Sequence, residues 1–262
     1  MKNLATKNNN QNFSIKNDCT NLTVTIDKTP LLNLSLKNYI KQHLGGAAFI
    51  QNLTIKVILN EDVQANIIDD LLDFDIAQSK IEFVLNKKSS LNYNLKITEL
   101  QEIDQTDDGM LIAYNKQGYF EKELVLRFIG TEAKAKANCV IKGTQNRLFK
   151  FKTIQDHQVG NTKSDLLIKG AFCQESKLLC DNLIKVNKKA QKVEVKQLNK
   201  NLLLGCNSQA ISIPKLEVEA DDVNCKHGAA VSKLDDEQIF YLQSRGIDYC
   251  SAKNMLIDAF LN

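Results

Sequence analysis

Tryptophan is absent from this chain, and aromatic residues together make up only 6% of it. A platform that stacks bases or sugars needs such rings, so those ligand classes start at a disadvantage. Arginine is scarce as well: Arg127, Arg147 and Arg245 are all there is. Bidentate recognition of phosphate and guanine favours the guanidinium fork. Lysines supply the rest of the positive charge. They are interleaved with acids and leave a net charge of +3, the pattern of a solvated surface and not of a basic stripe. No nucleic-acid partner is expected. No apolar run approaches the ~18 residues of a membrane helix, so no membrane partner is expected either. Proline occurs only at Pro30 and Pro214, and glycine eleven times. Sandwiches and barrels made of hairpins usually mark their turns with more of both.

What is present is alternation. Leu22, Val24 and Ile26 alternate with polar residues, as do Leu53, Ile55, Val57 and Leu59. Ile81, Phe83 and Leu85 follow, then Leu91, Tyr93, Leu95 and Ile97, then Leu124, Leu126 and Phe128. Val193 and Val195, Ile211 and Ile213, and Leu216 and Val218 continue the pattern. A period of two sends one set of side chains inward and the other to water. Polar separators at 86–90, 107–109, 143–146, 187–191 and 199–201 stand between the runs. Short strands with polar corners and little hairpin chemistry suit a parallel β-helix, in which each coil stacks on the next. No strict sequence repeat accompanies them, and a sandwich is the alternative. Ser35–Leu44, stopped by Gly45-Gly46, reads as a short helix. Val63–Ile76 fits helix or strand. The Asn-rich residues 1–12 read as a disordered lead-in.

After Leu234 the period changes. Asp235 can cap a helix, with Gln238 answering three positions on, and that helix stops at Gly246. A second helix starts near Asp248 and carries Ala252, Met255, Leu256, Ala259 and Phe260 as one apolar stripe. The expected organisation is a lead-in at 1–12, a β body at 13–233 and a helical hairpin at 234–262.

The chain has 262 residues, enough for one large core, and seven cysteines: Cys19, Cys139, Cys173, Cys180, Cys206, Cys225 and Cys250. An odd count, and a polar start with no apolar targeting core, lead to an expectation of reduced thiols in the cytoplasm. Cys173 and Cys180 lack Cys-x-x-Cys spacing and read as core residues; Cys139, Cys206 and Cys250 also read as structural. Cys225 and His227 share one face of a strand, about 6.6 Å apart along its axis, and both are good iron or zinc ligands. A buried thiol beside a hydrogen-bonded histidine explains the same spacing. Four ligands are usual for a cluster, so two make an incomplete site. His157 reads as a structural corner residue. Gly160-Asn161-Thr162-Lys163-Ser164 is like a phosphate loop but lacks the glycine before lysine. Asp221-Asp222, as strand neighbours, point to opposite sides and cannot share a cation.

Pro214-Lys215-Leu216-Glu217-Val218-Glu219-Ala220-Asp221-Asp222-Val223-Asn224-Cys225-Lys226-His227-Gly228-Ala229 resembles the P-x-L-E-[IV]-x-A-D-D-V-x-C-x-H-G-A signature of the SufB/SufD family, in its SufD-type spelling. The run from Leu234 to Ile247 continues the likeness. Upstream, Asp156-His157, Asn161 to Asp165 and Lys169-Gly170 match the family's mid-domain pattern, and Leu202-Leu203-Leu204 with Ala210 the stretch before the signature. The resemblance implies a mainly β fold: a right-handed parallel β-helix with a C-terminal two-helix hairpin. It implies a scaffold of iron–sulfur cluster assembly and not an enzyme. Such a scaffold pairs with a SufB-like paralogue and docks a SufC-like ABC-type ATPase through the hairpin. No cofactor is expected to be held stably by the chain alone; a nascent iron–sulfur cluster forms at the complex interface. His227, with Cys225, is the implied cluster-assembly residue. Phe240, Tyr241, Arg245, Met255, Leu256 and Phe260 are the candidates for partner contact, with Phe260 the expected anchor. Family members carry a mostly helical region ahead of the β-helix. Here the β pattern starts almost at once, so that region is expected to be missing or reduced, and a homodimeric scaffold is the alternative assembly. A polysaccharide-acting β-helical enzyme would need paired carboxylates and an aromatic lining that the chain does not show.

Overall fold

The computed structural model describes residues 13–18, 21–26, 32–36, 52–69, 78–97 and 119–262. The lead-in at 1–12, nearly all of the Ser35–Leu44 helix, the separator at 107–109 and Cys19 lie outside the described residues.

Fifteen described strands run β1 (Phe13–Asp18), β2 (Asn21–Ile26), β3 (Leu32–Ser35), β4 (Asn52–Leu59), β5 (Gln64–Asp69), β6 (Gln78–Leu85), β7 (Ser90–Ile97), β8 (Tyr119–Phe128), β9 (Lys134–Gly143), β10 (Leu148–His157), β11 (Lys163–Phe172), β12 (Lys177–Val186), β13 (Val193–Leu203), β14 (Gln209–Val218) and β15 (Val223–Lys233). The ambiguous 63–76 segment is strand over Gln64–Asp69, preceded by the buried Val63; 70–76 is outside the described residues. The helices α1 (Asp236–Ser244) and α2 (Tyr249–Leu261) follow.

From β4 onward, even-numbered strands stack in one sheet and odd-numbered strands in the other. Every pairing is parallel except the antiparallel β1–β2 edge. The chain is therefore a β-solenoid in which each coil lays one strand on each sheet. The register supplies the repeat that the sequence hides: Tyr119 pairs with Leu148 and Leu148 with Lys177, each 29 positions on. Inward positions conserve direction and not residue type. One column reads Leu59, Leu85, Phe128, His157, Val186 and Val218.

Inward side chains from both sheets form a single long apolar core from Val24 to Cys180, with smaller clusters around Val186 and under the helices. Coil stacking brings backbones close at the corners. A Cβ on Gly130 would lie 1.9 Å from the Lys87 nitrogen of the preceding coil, so only glycine fits there. Gly130→Ala is expected to lower the denaturation midpoint, because a main-chain neighbour cannot yield as a side chain does; an unchanged urea midpoint would refute this. Other corners place Asp62, Lys88, Glu132, Asn161 and Lys192 in the left-handed region, φ 55–63°, where glycine is usual.

Candidate functional site

The last coil, β14 and β15, leaves the solenoid open. Among the described residues each of its strands is the terminal strand of its sheet, so a row of backbone donors and acceptors faces outward with no strand beyond it, as at any sheet edge. Its apolar side chains are uncovered too: Ile211, Ile213, Leu216, Val218 and Val231 are all exposed. The preceding coil buries the equivalents of Leu216, Val218 and Val231, whereas Ile211 and Ile213 stand over the half-buried Leu179 and Asp181 on the outward face. Val218 is 39% exposed, whereas Val186 beneath it is fully buried.

Cys225 and His227 lie on β15 at this mouth. Cys225 packs against the inward cluster that includes Ile184, Val186 and Val195, so it points into the solenoid, and His227, two positions on, shares that face. His227 is exposed and Cys225 half-buried. Burial raises the Cys225 thiol above its ordinary pKa, which keeps it protonated until a metal or base takes the proton. Among the described residues no group of three His, Cys, Asp or Glu side chains is placed to hold a metal ion. Among the described residues Cys225 and His227 are thus two candidate ligands at an open edge, fewer than the four usual for a cluster.

Asp221 and Asp222 form the turn between β14 and β15 and are not strand residues; the strand argument about their directions does not apply to them. The phosphate-loop lookalike is a coil corner. A Cβ on Gly160 would meet the Gln191 carbonyl at 2.4 Å, and the Asn161 N–H donates to that same carbonyl at 2.9 Å. Both residues serve coil stacking.

His157 ends β10 wholly buried, stacked on Phe128 at 4.2 Å between ring centroids. Thr162 donates to the Val159 carbonyl and so accepts from His157 Nδ1 at 2.7 Å. Nε2 is then the acceptor for the Ser164 hydroxyl at 2.8 Å, and Ser164 accepts from the Gln155 amide. The network assigns a neutral ring, and burial lowers its pKa to about 3. The unfolded chain takes up this proton near pH 6.5 and the folded chain only near 3, so stability present above 6.5 is lost as pH falls between the two. His157→Gln is expected to remove up to a few kcal/mol of that acid sensitivity. Identical pH–stability profiles for the two proteins would show that His157 does not cause it.

The hairpin differs from its sequence reading in its buried face. Asp235 caps α1 by accepting from the Glu237 N–H, with no answering bond from Gln238 among the described residues. Gly246 ends the turn at φ +86°, and Asp248 caps α2. The side chains of α2 that are buried are Ala252, Ile257 and Leu261, not the stripe from Ala252 to Phe260. Ile257 and Leu261 pack on Ala171 and Leu202 of the odd-numbered sheet, with Phe260 partly buried beside them. Phe260 is thus occupied within the chain. Phe240, Tyr241, Tyr249 and Met255 are the exposed large apolar residues, Phe240 at 72%; Leu256 is half-buried. Arg245 lies over the Tyr241 ring at 5.3 Å. Two expected structural cysteines, Cys206 and Cys250, are exposed, Cys173 is half-buried, and Cys139 and Cys180 are in the core.

No helix among the described residues is long and apolar enough to cross a membrane. The family model for the SUF system FeS cluster assembly SufBD core domain matches residues 43–260. Over 131 residues the chain is 37% identical to the iron–sulfur cluster assembly protein SufD of Escherichia coli (strain K12), a match covering 50% of this chain and 31% of that protein. It is 32% identical over 130 residues to an iron–sulfur cluster assembly SufBD family protein of Synechocystis, covering 45% and 29%. A chloroplastic protein of Arabidopsis thaliana is 44% identical over 80 residues, covering 30% and 17%. The matched segments thus span about a third or less of these relatives. With a family model over most of its length and an open solenoid that ends in the Cys225–His227 strand, the chain belongs to the SufB/SufD family of iron–sulfur cluster assembly proteins.

Proposed function

We propose that this chain is a scaffold subunit, without catalytic chemistry of its own, that pairs through its last coil with a SufB-like paralogue in the cytoplasm. The observation that carries the reading is the open coil itself: two unpaired strand edges, exposed apolar side chains and an incomplete pair of ligands at one place. Addition of a second chain's strands would satisfy the edges and cover Leu216 and Val231. It would also bring the missing ligands to Cys225 and His227, where a nascent cluster forms as cargo and not as a resident cofactor. A SufC-like ABC-type ATPase docks on the terminal helices, whose exposed Phe240, Tyr241 and Met255 suit a partner groove.

Mass measurement of the chain alone, and then mixed with a SufB-like chain, tests the pairing. The expected result is a one-to-one heterodimer that the Leu216→Asp, Val231→Asp double variant fails to form. A dimer of the chain alone that the second chain cannot dissociate would establish the homodimeric alternative. In the assembled complex His227→Ala is expected to keep the melting temperature, since an exposed strand residue costs ~1 kcal/mol or less, and to lose most of the cluster yield. Full yield would remove His227 from the site.

A further inference from the structure

The inward face of β13 changes character along the strand. Val193 and Val195 are apolar, and Gln197, Asn199 and Asn201 follow, all buried. Asn201 donates to Asn199 at 3.1 Å, and Asn199 donates to Ser212 of β14. Gln197 is different. It is 3% exposed, and neither its amide oxygen nor its amide nitrogen has a hydrogen-bond partner among the described residues. Leaving such a group unpaired lowers stability, and an apolar side chain of similar shape would not.

Its place in the fold gives a reason. The column to which it belongs reads Ile67, Tyr93, Ala137, Leu166, Gln197 and His227, each in register with the next. The member below Gln197 is apolar; the member above it is the exposed imidazole of the open coil. Neighbouring strands stand about 4.8 Å apart, so a change of side-chain rotamer alone can bring the glutamine amide to the ring of its register partner.

We propose that Gln197 is a positioning residue for His227. In the assembled complex its carbonyl, unbonded in the free chain, turns to accept one ring N–H of the imidazole, which fixes the tautomer and the ring angle and leaves the other ring nitrogen facing an iron ion or nascent cluster at the mouth. Metal-ligating histidines generally donate their second N–H in this way, and loss of the acceptor costs about 10–100-fold in affinity or activity. The inference rests on the reading of His227 given above.

The test uses the complete assembly with its SufB-like and ATPase partners, in wild type and with Gln197→Leu, Gln197→Met, His227→Ala and Gln197→Leu combined with His227→Ala. Cluster formation is followed by visible absorbance, and melting curves are recorded alongside. Both apolar replacements are expected to melt at or above the wild-type temperature and to slow assembly about tenfold or more. In the combined variant Gln197→Leu adds no further loss, because it acts through His227. A wild-type rate in both apolar variants overturns the inference. So does a slower rate that comes with a lower melting temperature in both, and so does a loss that multiplies with that of His227→Ala. Wild-type assembly by His227→Ala alone would remove His227 from the site and overturn this inference with it, while the pairing reading would still rest on the mass measurement.

Discussion

Lys122→Met is expected to destabilise the protein by about 3–5 kcal/mol, a large share of the stability of a domain this size. Lys122 and Asp69 are each 1% exposed, and their Nζ and Oδ2 atoms are 2.5 Å apart inside the solenoid. Tyr93 donates its hydroxyl to the same carboxylate oxygen at 2.5 Å. Burial first, and then the Asp69 charge, push the Tyr93 pKa well up, so the phenol stays a donor. The ammonium also reaches Ser79 Oγ at 3.4 Å. Methionine matches the length of lysine but supplies no charge, and the Asp69 carboxylate is then left in the core without its lysine. That is the costly way to break a buried pair. Asp69→Asn in the same chain removes the charge and keeps an acceptor for Tyr93, so the double variant is expected to recover most of the loss. Urea unfolding of wild type, both single variants and the double variant closes the cycle. Equal losses in Lys122→Met and in the double variant would show that the ion pair is not the source.

The second large effect concerns the hairpin. Phe240→Asp is expected to weaken ATPase docking by roughly tenfold or more, since a central aromatic at an interface is commonly worth ~2 kcal/mol. Its melting curve should match wild type, because the Phe240 side chain is exposed in the free chain. Phe260→Asp should behave in the opposite sense. Phe260 packs beside Ile257 and Leu261 against the odd-numbered sheet, and a carboxylate there is desolvated without a counter-charge. Titration of the ATPase against both variants, with melts, separates the two. Unchanged affinity with Phe240→Asp would show that the exposed face of α1 is not the docking surface.

Alternation was legible in the sequence because it is local: a side chain two positions along a strand points the same way whatever lies across from it. That carried the strands from Leu22 to Val218, and the cap at Asp235 was readable for the same reason, since a capping bond spans only two or three residues. The short helix face was harder. α2 offers apolar residues on more than one side, and only the sheet beneath it selected Ile257 and Leu261 for burial. The polar separators 86–90, 143–146 and 187–191 do mark coil corners, but 199–201 lies inside β13, where Asn199 and Asn201 point inward. The left-handed corner positions were not readable, because lysine, glutamate and asparagine occupy them where glycine is usual. The lysines read as a solvated surface, which Lys122 contradicts. Its direction follows from the Leu124–Phe128 alternation, but its acceptability in the core depends on Asp69, three strands earlier in the chain. The sequence by itself determined the β body, the helical end and the Cys225–His227 spacing, all of which rest on neighbours along the chain. Only the tertiary structure decided that this pair sits at an open coil, that Phe260 is spent and Phe240 free, and that Gln197 lies beneath His227. Those facts depend on the coil-to-coil register, which joins residues about 30 positions apart through backbone hydrogen bonds that carry no side-chain signature.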